Sequence, residues 1–422
     1  MDLNNRRGFI KNAVAFTGLV LLNKIAQAKA DPTILFVSGW QDVNIGDIAH
    51  TPGLIALLKK RLPQAKLILW KKSKSDFAEG MLKKHYPDLQ IIHGQVSKDG
   101  EPQSDEVKQA FAAADFFLHG SGPSVVAADY LDSWQKQTQK PFGIFGVTIQ
   151  DVTPELKRII QNASFIFTRE TASIGKLKEA GLEGKHIAFA PDATFAMDIH
   201  DDAAAGKFIA DNKLADRKFI CVIPRLRRTP YYKIRPNNAG WSAERIREVD
   251  ELNDKWKEID HAKLREAMVA WVRKTKGKVV VCPEMTYQLD VMDELLINPL
   301  PADVKPHIVK HGYWLPDEAA SLYKRAQAVL SFECHSPIIA AANGTPCFYL
   351  RQPEDTIKGQ MYYDLGLSDW TFEIEQTNAK QITDRLMEIN AGYDAALKKV
   401  QTAMGNVRER YNAVFRIFGE KV

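Results

Sequence analysis

From Leu330 to Leu350 the chain reads LSFECHSPIIAAANGTPCFYL. Residues 328–332 and 347–350 are short apolar runs of strand type. Between them, Ser336 or His335 is placed to cap a helix, with Pro337 in its first turn and Asn343-Gly344 closing it. The segment therefore predicts strand, turn, helix, turn, strand. His335 falls just past the carboxyl end of a parallel strand, beside a helix amino terminus. Open α/β sheets collect ligands on that edge, and the helix dipole favours an anionic group there.

The same alternation runs outward through the chain. Strands are expected at 33–38, 66–70, 89–93, 115–119, 142–147, 164–168 and 187–190, with Thr51-Pro52 opening the first helix and Ser104 capping a later one. Residues 198–205, acidic and alanine-rich, read as a linker. The pattern then restarts with strands at 219–223, 279–282, 307–310, 328–332, 347–350 and 371–374. Strands alternating with helices give parallel sheets covered on both faces. Two rounds of the pattern predict an α/β chain of two doubly wound, Rossmann-like domains facing a cleft, the glycosyltransferase-B-like plan. The expected domains are residues 31–198 and 206–378, and residues 379–422 have helical periodicity suited to packing back over both.

The 422 residues are 45% hydrophobic, enough apolar material for two full cores. The first thirty residues are of another kind. Asn4-Asn5-Arg6-Arg7-Gly8-Phe9-Ile10-Lys11 matches a twin-arginine export signal, an apolar run follows from Ala13 to Leu22, and Ala28-Lys29-Ala30 is a small-x-small cleavage site. The run is too short to span a bilayer as a stable anchor, so a periplasmic or secreted protein with no lasting membrane span is expected. The formal charge of the whole chain is +5. Arg6, Arg7, Lys11, Lys24 and Lys29 against Asp2 supply most of it, so the processed chain is nearly neutral. Nothing global then points to nucleic acid. Cys221, Cys282, Cys334 and Cys347 form no C-x-x-C pair, so no zinc or other metal is expected. Free thiols are favoured over a Cys334–Cys347 disulfide, because twin-arginine substrates fold before export, in a reducing compartment.

Three further stretches carry polar groups at expected strand ends. Asn44-Ile45-Gly46-Asp47 follows the first strand: Gly46 permits a close backbone approach, and Asn44 and Asp47 offer an amide and a carboxylate, or cap the helix. His119-Gly120-Ser121-Gly122 follows the fourth strand, where a glycine–serine turn can present N–H groups to an oxyanion or hydroxyl. Residues 225–257 break the pattern. They are long for a loop and combine Arg225, Arg227, Arg228 and Arg245 with Tyr231, Tyr232 and Trp241, a composition suited to an anionic sugar or a phosphate.

These motifs together resemble the polysaccharide pyruvyl transferase family. The similarity rests on N-x-G-D at Asn44–Asp47 and the glycine-rich turn at Gly120. It continues through Arg169-Glu170-Thr171-Ala172-Ser173 as R-E-x-x-S, Asp192-Ala193-Thr194-Phe195 as D-x-x-F, and the strand ending in Arg225. It closes with His335 to Pro346 as H-x-x-x-x-A-x-x-x-G-x-P, Lys358-Gly359 and Asp364-Leu365-Gly366-Leu367. The resemblance implies transfer of pyruvate from phosphoenolpyruvate to two hydroxyls of a glycan as a ketal, with phosphoenolpyruvate as donor substrate and no further cofactor. It also implies that Arg225 holds the donor and that His335 acts as acid or phosphate partner. Asp47 is the candidate for acceptor binding or base work. Arg227, Arg351 and Lys358 are further donor-binding candidates, and Asn44, Gly46, Gly120, Ser121 and Glu333 are expected in the acceptor cleft. The chain departs from the family's R-x-H at Glu333-Cys334-His335, where an acid replaces an arginine. The alternative is an exported glycan-binding or glycan-processing protein with a lost or altered donor site.

Cleavage of the export signal is checked by mass spectrometry of the periplasmic or secreted protein. The expected chain starts near Asp31; an intact Met1 on all of the protein would contradict the expectation.

Overall fold

Short, mostly apolar strands set the architecture. In this computed structural model, which describes residues 31–235 and 240–422, they form two sheets in which every strand pairing is parallel. The expected export signal lies outside the described residues. The first sheet contains β1 (Thr33–Val37), β2 (Lys66–Trp70), β3 (Gln90–Ile92), β4 (Phe116–His119), β5 (Phe142–Val147), β6 (Phe165–Thr168) and β7 (Ile187–Phe189). Their order is β3-β2-β1-β4-β5-β6-β7. The second contains β8 (Phe219–Ile223), β9 (Lys278–Val281), β10 (Ile308–Lys310), β11 (Ala328–Ser331), β12 (Cys347–Arg351) and β13 (Thr371–Glu373), ordered β10-β9-β8-β11-β12-β13. Central strands such as β4 and β8 are buried along their whole length, as strands covered on both faces must be. Strand order reverses between β1 and β4 and again between β8 and β11, so each sheet has a ligand-collecting crevice at those strands' carboxyl ends.

The expected doubly wound pattern is present twice, but several local expectations need correction. The first helix runs Ile45–Arg61 and does not begin at Thr51-Pro52. Asn44 accepts N–H groups of Gly46 and Asp47 in its first turn, and that cap starts the helix seven residues early, leaving Pro52 in its interior. Gly53 then rests on the Ala193 carbonyl, where a Cβ would lie 2.1 Å away. Half of the expected linker is helical: Asp201 caps a helix over Asp202–Asp211, whose alanines favour that state. In the long basic stretch, Ser242 caps a 33-residue helix, Ala243–Thr275.

The helix His335–Ala342 is not capped by Ser336 or His335. Cys334 occupies its N-cap position, and the carboxylate of Glu284, just after β9, accepts from the Ser336 N–H and hydroxyl at 2.7 Å each. An anion does sit at this helix amino terminus, and it belongs to the protein.

The chain ends in two helices, Ala379–Ala391 and Tyr393–Gly419. The second returns to the first sheet. Phe418 packs against Phe116 and Phe165, with ring centroids at 5.3 and 4.9 Å, and the Tyr411 hydroxyl donates to the Asp192 carbonyl at 2.6 Å. All four cysteines are buried free thiols.

Phe418 is fully buried, so Phe418→Ala is expected to cost about 3 to 5 kcal/mol of stability. Denaturant unfolding checks this. A loss below about 1 kcal/mol would show that the terminal helix does not brace the first sheet.

Candidate active site

Loops after β1 and β9 pair across the seam between the two sheets. The Ile45 N–H donates to the Glu284 carbonyl at 2.9 Å, and the Thr286 N–H to the Val43 carbonyl at 3.0 Å. Gly46 makes this approach possible in an unexpected way. A Cβ there would stand 2.3 Å from His335 Nδ1, so its missing side chain leaves room for the imidazole rather than for a ligand.

Behind His335 lies a buried polar cluster drawn from both sheets. His335 Nε2 is 3.1 Å from His50 Nε2, and His335 Nδ1 is 3.3 Å from Glu284 Oε1. His50 stands one helical turn after Asp47, with Nδ1 3.9 Å from Asp47 Oδ1. Asp192, after β7, places Oδ2 3.4 Å from His50 Nε2 and accepts from Arg169 Nη1 at 2.8 Å. Burial would raise the Asp192 carboxyl, but His50, Arg169 and His335 outweigh it and hold the group well below the usual range. Burial likewise pulls the His335 imidazole down, yet Cys334 and Glu284 beside it raise it well above its ordinary value. Arg169 also lies near Glu170, whose carboxyl burial pushes up to about 7 against the pull of Arg169, Ser173 and Thr148.

The second group surrounds Arg225, after β8. Its Nη1 meets Asp355 Oδ1 at 2.5 Å, and its Nε lies 3.4 Å from Glu333 Oε2. Lys358 shares Asp355 at 2.8 Å, while Gln288 donates to Glu333 Oε1 at 2.8 Å. Burial pushes Glu333 up to about 7 although Arg225 pulls it down. Outside this core lies a cleft of about 650 Å³. Arg225, Arg227, Arg228, Tyr231, Trp241 and Arg245 line it from the second sheet's side, and Gln150, beyond β5, lines it from the first.

Pairing sorts the arginines differently from the sequence reading. Arg227 is held by Asp260 through two hydrogen bonds and by Glu375 at 2.6 Å. Arg351 pairs with Glu373 at 2.7 Å. With Arg225 and Lys358 also neutralised, all four expected donor cations are engaged inside the fold, and Arg351 and Lys358 do not line the cleft. Among the described residues, Arg228 and Arg245 have no carboxylate partner; Arg245 lies over the Trp241 ring at 4.3 Å. Gly120 and Ser121 are not in the cleft either. Both are buried: a Cβ on Gly120 would meet Ser38 at 3.0 Å, and Ser121 Oγ accepts the Ala193 N–H at 2.9 Å. Asn44 uses its side chain as a helix cap. Asp47 and His335 do lie on one seam, together with His50, Asp192 and Glu284, which the sequence reading had not assigned as site residues. Glu284 carried the readable signal of a charge at a strand end; His50, inside a helix, carried none.

The sequence matches the family model of polysaccharide pyruvyl transferases over residues 44–352. The chain belongs to that family. In this pyruvyl transferase family member, the R-E-x-x-S and D-x-x-F motifs supply the Arg169–Asp192 pair of the buried cluster. No curated protein matches the sequence. Solved structures share its fold. S. aureus MnaA with UDP aligns at TM-score 0.53 and 12% identity, covering 88% of this chain and 91% of its own. Anabaena HepE with UDP-glucose aligns at 0.54 and 13%, covering 90% and 96%. The Neisseria meningitidis UDP-GlcNAc 2-epimerase bound to UDP-GlcNAc aligns at 0.55 and 11%, covering 92% and 100%. Among the described residues no helix is long and apolar enough to cross a membrane.

Glu170 gives the cluster a pH dependence of definite sign. The folded protein keeps this carboxyl protonated up to about 7, whereas an unfolded chain releases the proton near about 4.3. Stability contributed by Glu170 therefore falls as pH rises between those values. Glu170→Gln is expected to gain stability relative to wild type across that window and to hold the gain above it. Denaturant unfolding at about pH 4.5 and about pH 8 measures this; an equal difference at both would contradict it.

Proposed function

We propose that the protein transfers pyruvate from phosphoenolpyruvate to two hydroxyls of a glycan, forming a ketal, and that its donor site is the arginine cleft rather than the Arg225 core. The observation that carries this reading is the pair of uncompensated guanidinium groups, Arg228 and Arg245, in a cleft of about 650 Å³ that both sheets line. Phosphoenolpyruvate brings a phosphate and a carboxylate. Guanidinium groups recognise both through paired, charge-assisted hydrogen bonds, and Trp241 holds Arg245 in place by stacking. Family membership supports the reaction class.

Chemically, a proton must reach the enol methylene while a glycan hydroxyl adds to the neighbouring carbon. Phosphate then leaves with its bridging oxygen, and the second hydroxyl closes the ketal. Arg225 stands at the inner wall of the cleft, oriented by Glu333 and Asp355. Glu333 is the carboxyl group beside it and the candidate for carrying that proton. His335 has both ring nitrogens facing protein groups, Glu284 and His50, which leaves it a supporting position. The acidic residue that departs from the family pattern thus neutralises Arg225, and the donor's charge falls to Arg228 and Arg245.

Calorimetric titration with phosphoenolpyruvate tests the reading, followed by phosphate release with candidate glycans. Wild type is expected to bind, and Arg228→Ala and Arg245→Ala to bind at least about tenfold more weakly, since a hydrogen bond to a charged group contributes about 1.5 to 3 kcal/mol. Absence of binding by wild type would overturn pyruvyl transfer and favour the glycan-binding alternative, for which the neutralised Arg225 is the supporting observation.

A further inference from the structure

We propose that His50, Asp192 and His335 form a binding site for one divalent transition-metal ion, zinc by preference, that ties the two domains together. No metal was expected from the sequence, because cysteine spacing is silent about ligands that come from two helices and a strand end far apart in the chain. The proposal does not depend on pyruvyl transfer.

Geometry is the first support. The atoms His50 Nε2, His335 Nε2 and Asp192 Oδ2 form a triangle with edges of 3.1, 3.4 and 3.9 Å. Ligands about 2.0–2.1 Å from a tetrahedral zinc ion stand about 3.3–3.4 Å apart. One ion therefore fits among these atoms with small side-chain adjustments, and two imidazoles with one carboxylate suit zinc and its first-row neighbours.

The surroundings are the second support. An imidazole that ligates through Nε2 commonly turns its Nδ1–H to a carboxylate. Here each does: His335 Nδ1 faces Glu284 Oε1 at 3.3 Å, and His50 Nδ1 faces Asp47 Oδ1 at 3.9 Å. His50 Nδ1 is buried with no hydrogen-bond partner at that distance, a gap that movement of Asp47 towards it would close. Arg169 donates to Asp192 Oδ2, and the same oxygen lies 3.4 and 3.9 Å from the two imidazole Nε2 atoms.

Charge is the third. The carboxyl groups of Asp47, Asp192 and Glu284 surround the two imidazoles, an acidic setting that favours a cation among them. His50 and Asp192 come from the first domain and His335 from the second, so the ion would bridge them.

The test uses the full chain. Metal content is measured after purification and again after EDTA dialysis, followed by reconstitution with Zn²⁺ and, separately, with Co²⁺, whose visible absorption reports nitrogen and oxygen coordination. One ion per chain, a Co²⁺ spectrum of four- or five-coordinate type and a melting temperature several degrees higher in the loaded protein are expected. His50→Gln and Asp192→Asn should lose the ion, while Arg228→Ala should keep it. A wild-type protein that takes up no stoichiometric metal and gives no Co²⁺ spectrum would overturn the proposal, whether or not the variants fold. So would retention of the ion by a folded His50→Gln protein.

Discussion

The carboxylate of Asp192 is fully buried, and much of this molecule is arranged so that it can be. An isolated buried charge is far too costly to persist; it needs a paired cation and satisfied lone pairs. Asp192 obtains these from separate segments. Arg169 donates to Oδ2, and the Thr194 N–H to Oδ1 at 2.9 Å. His50 and His335 face it from the first helix and from the helix after β11. The Tyr411 hydroxyl, on the last helix, bonds its backbone carbonyl. A single compensation problem thus gathers two sheets and the C-terminal helix at one point.

The same rule accounts for the second polar centre. Arg225, Lys358, Asp355 and Glu333 balance one another within the fold. This explains how the chain accommodates an acid where its family carries an arginine. Glu333 offsets Arg225. The uncompensated cations lie farther out, on the cleft wall, where water and an anionic ligand can reach them.

The strands were legible because each is a short apolar run between turn residues, a signal local to the sequence. The helix starts were less so. Thr51-Pro52 is a good local start, but the Asn44 cap seven residues earlier overrode it. Ser336 is a good cap by type, yet Glu284, fifty-two residues away, took that role. Site residues followed the same division. Asp47 and His335 could be placed on the seam because each follows a strand's carboxyl end by a short loop. Which arginines are free could not be read, since Asp260, Asp355, Glu373 and Glu375 neutralise residues distant from them in the chain. Ion pairing is a property of the fold, and the arginine-rich stretch looked uniformly available without it.

The buried Arg169–Asp192 pair is the constraint at the centre of the structure, and a double-mutant cycle in equilibrium unfolding tests it most directly. Arg169→Met and Asp192→Asn should each cost about 3 to 5 kcal/mol by leaving a buried charge uncompensated. The double variant should cost clearly less than the two losses combined. Losses that add to within about 0.5 kcal/mol would show that the pair is not the constraint around which the two domains are organised.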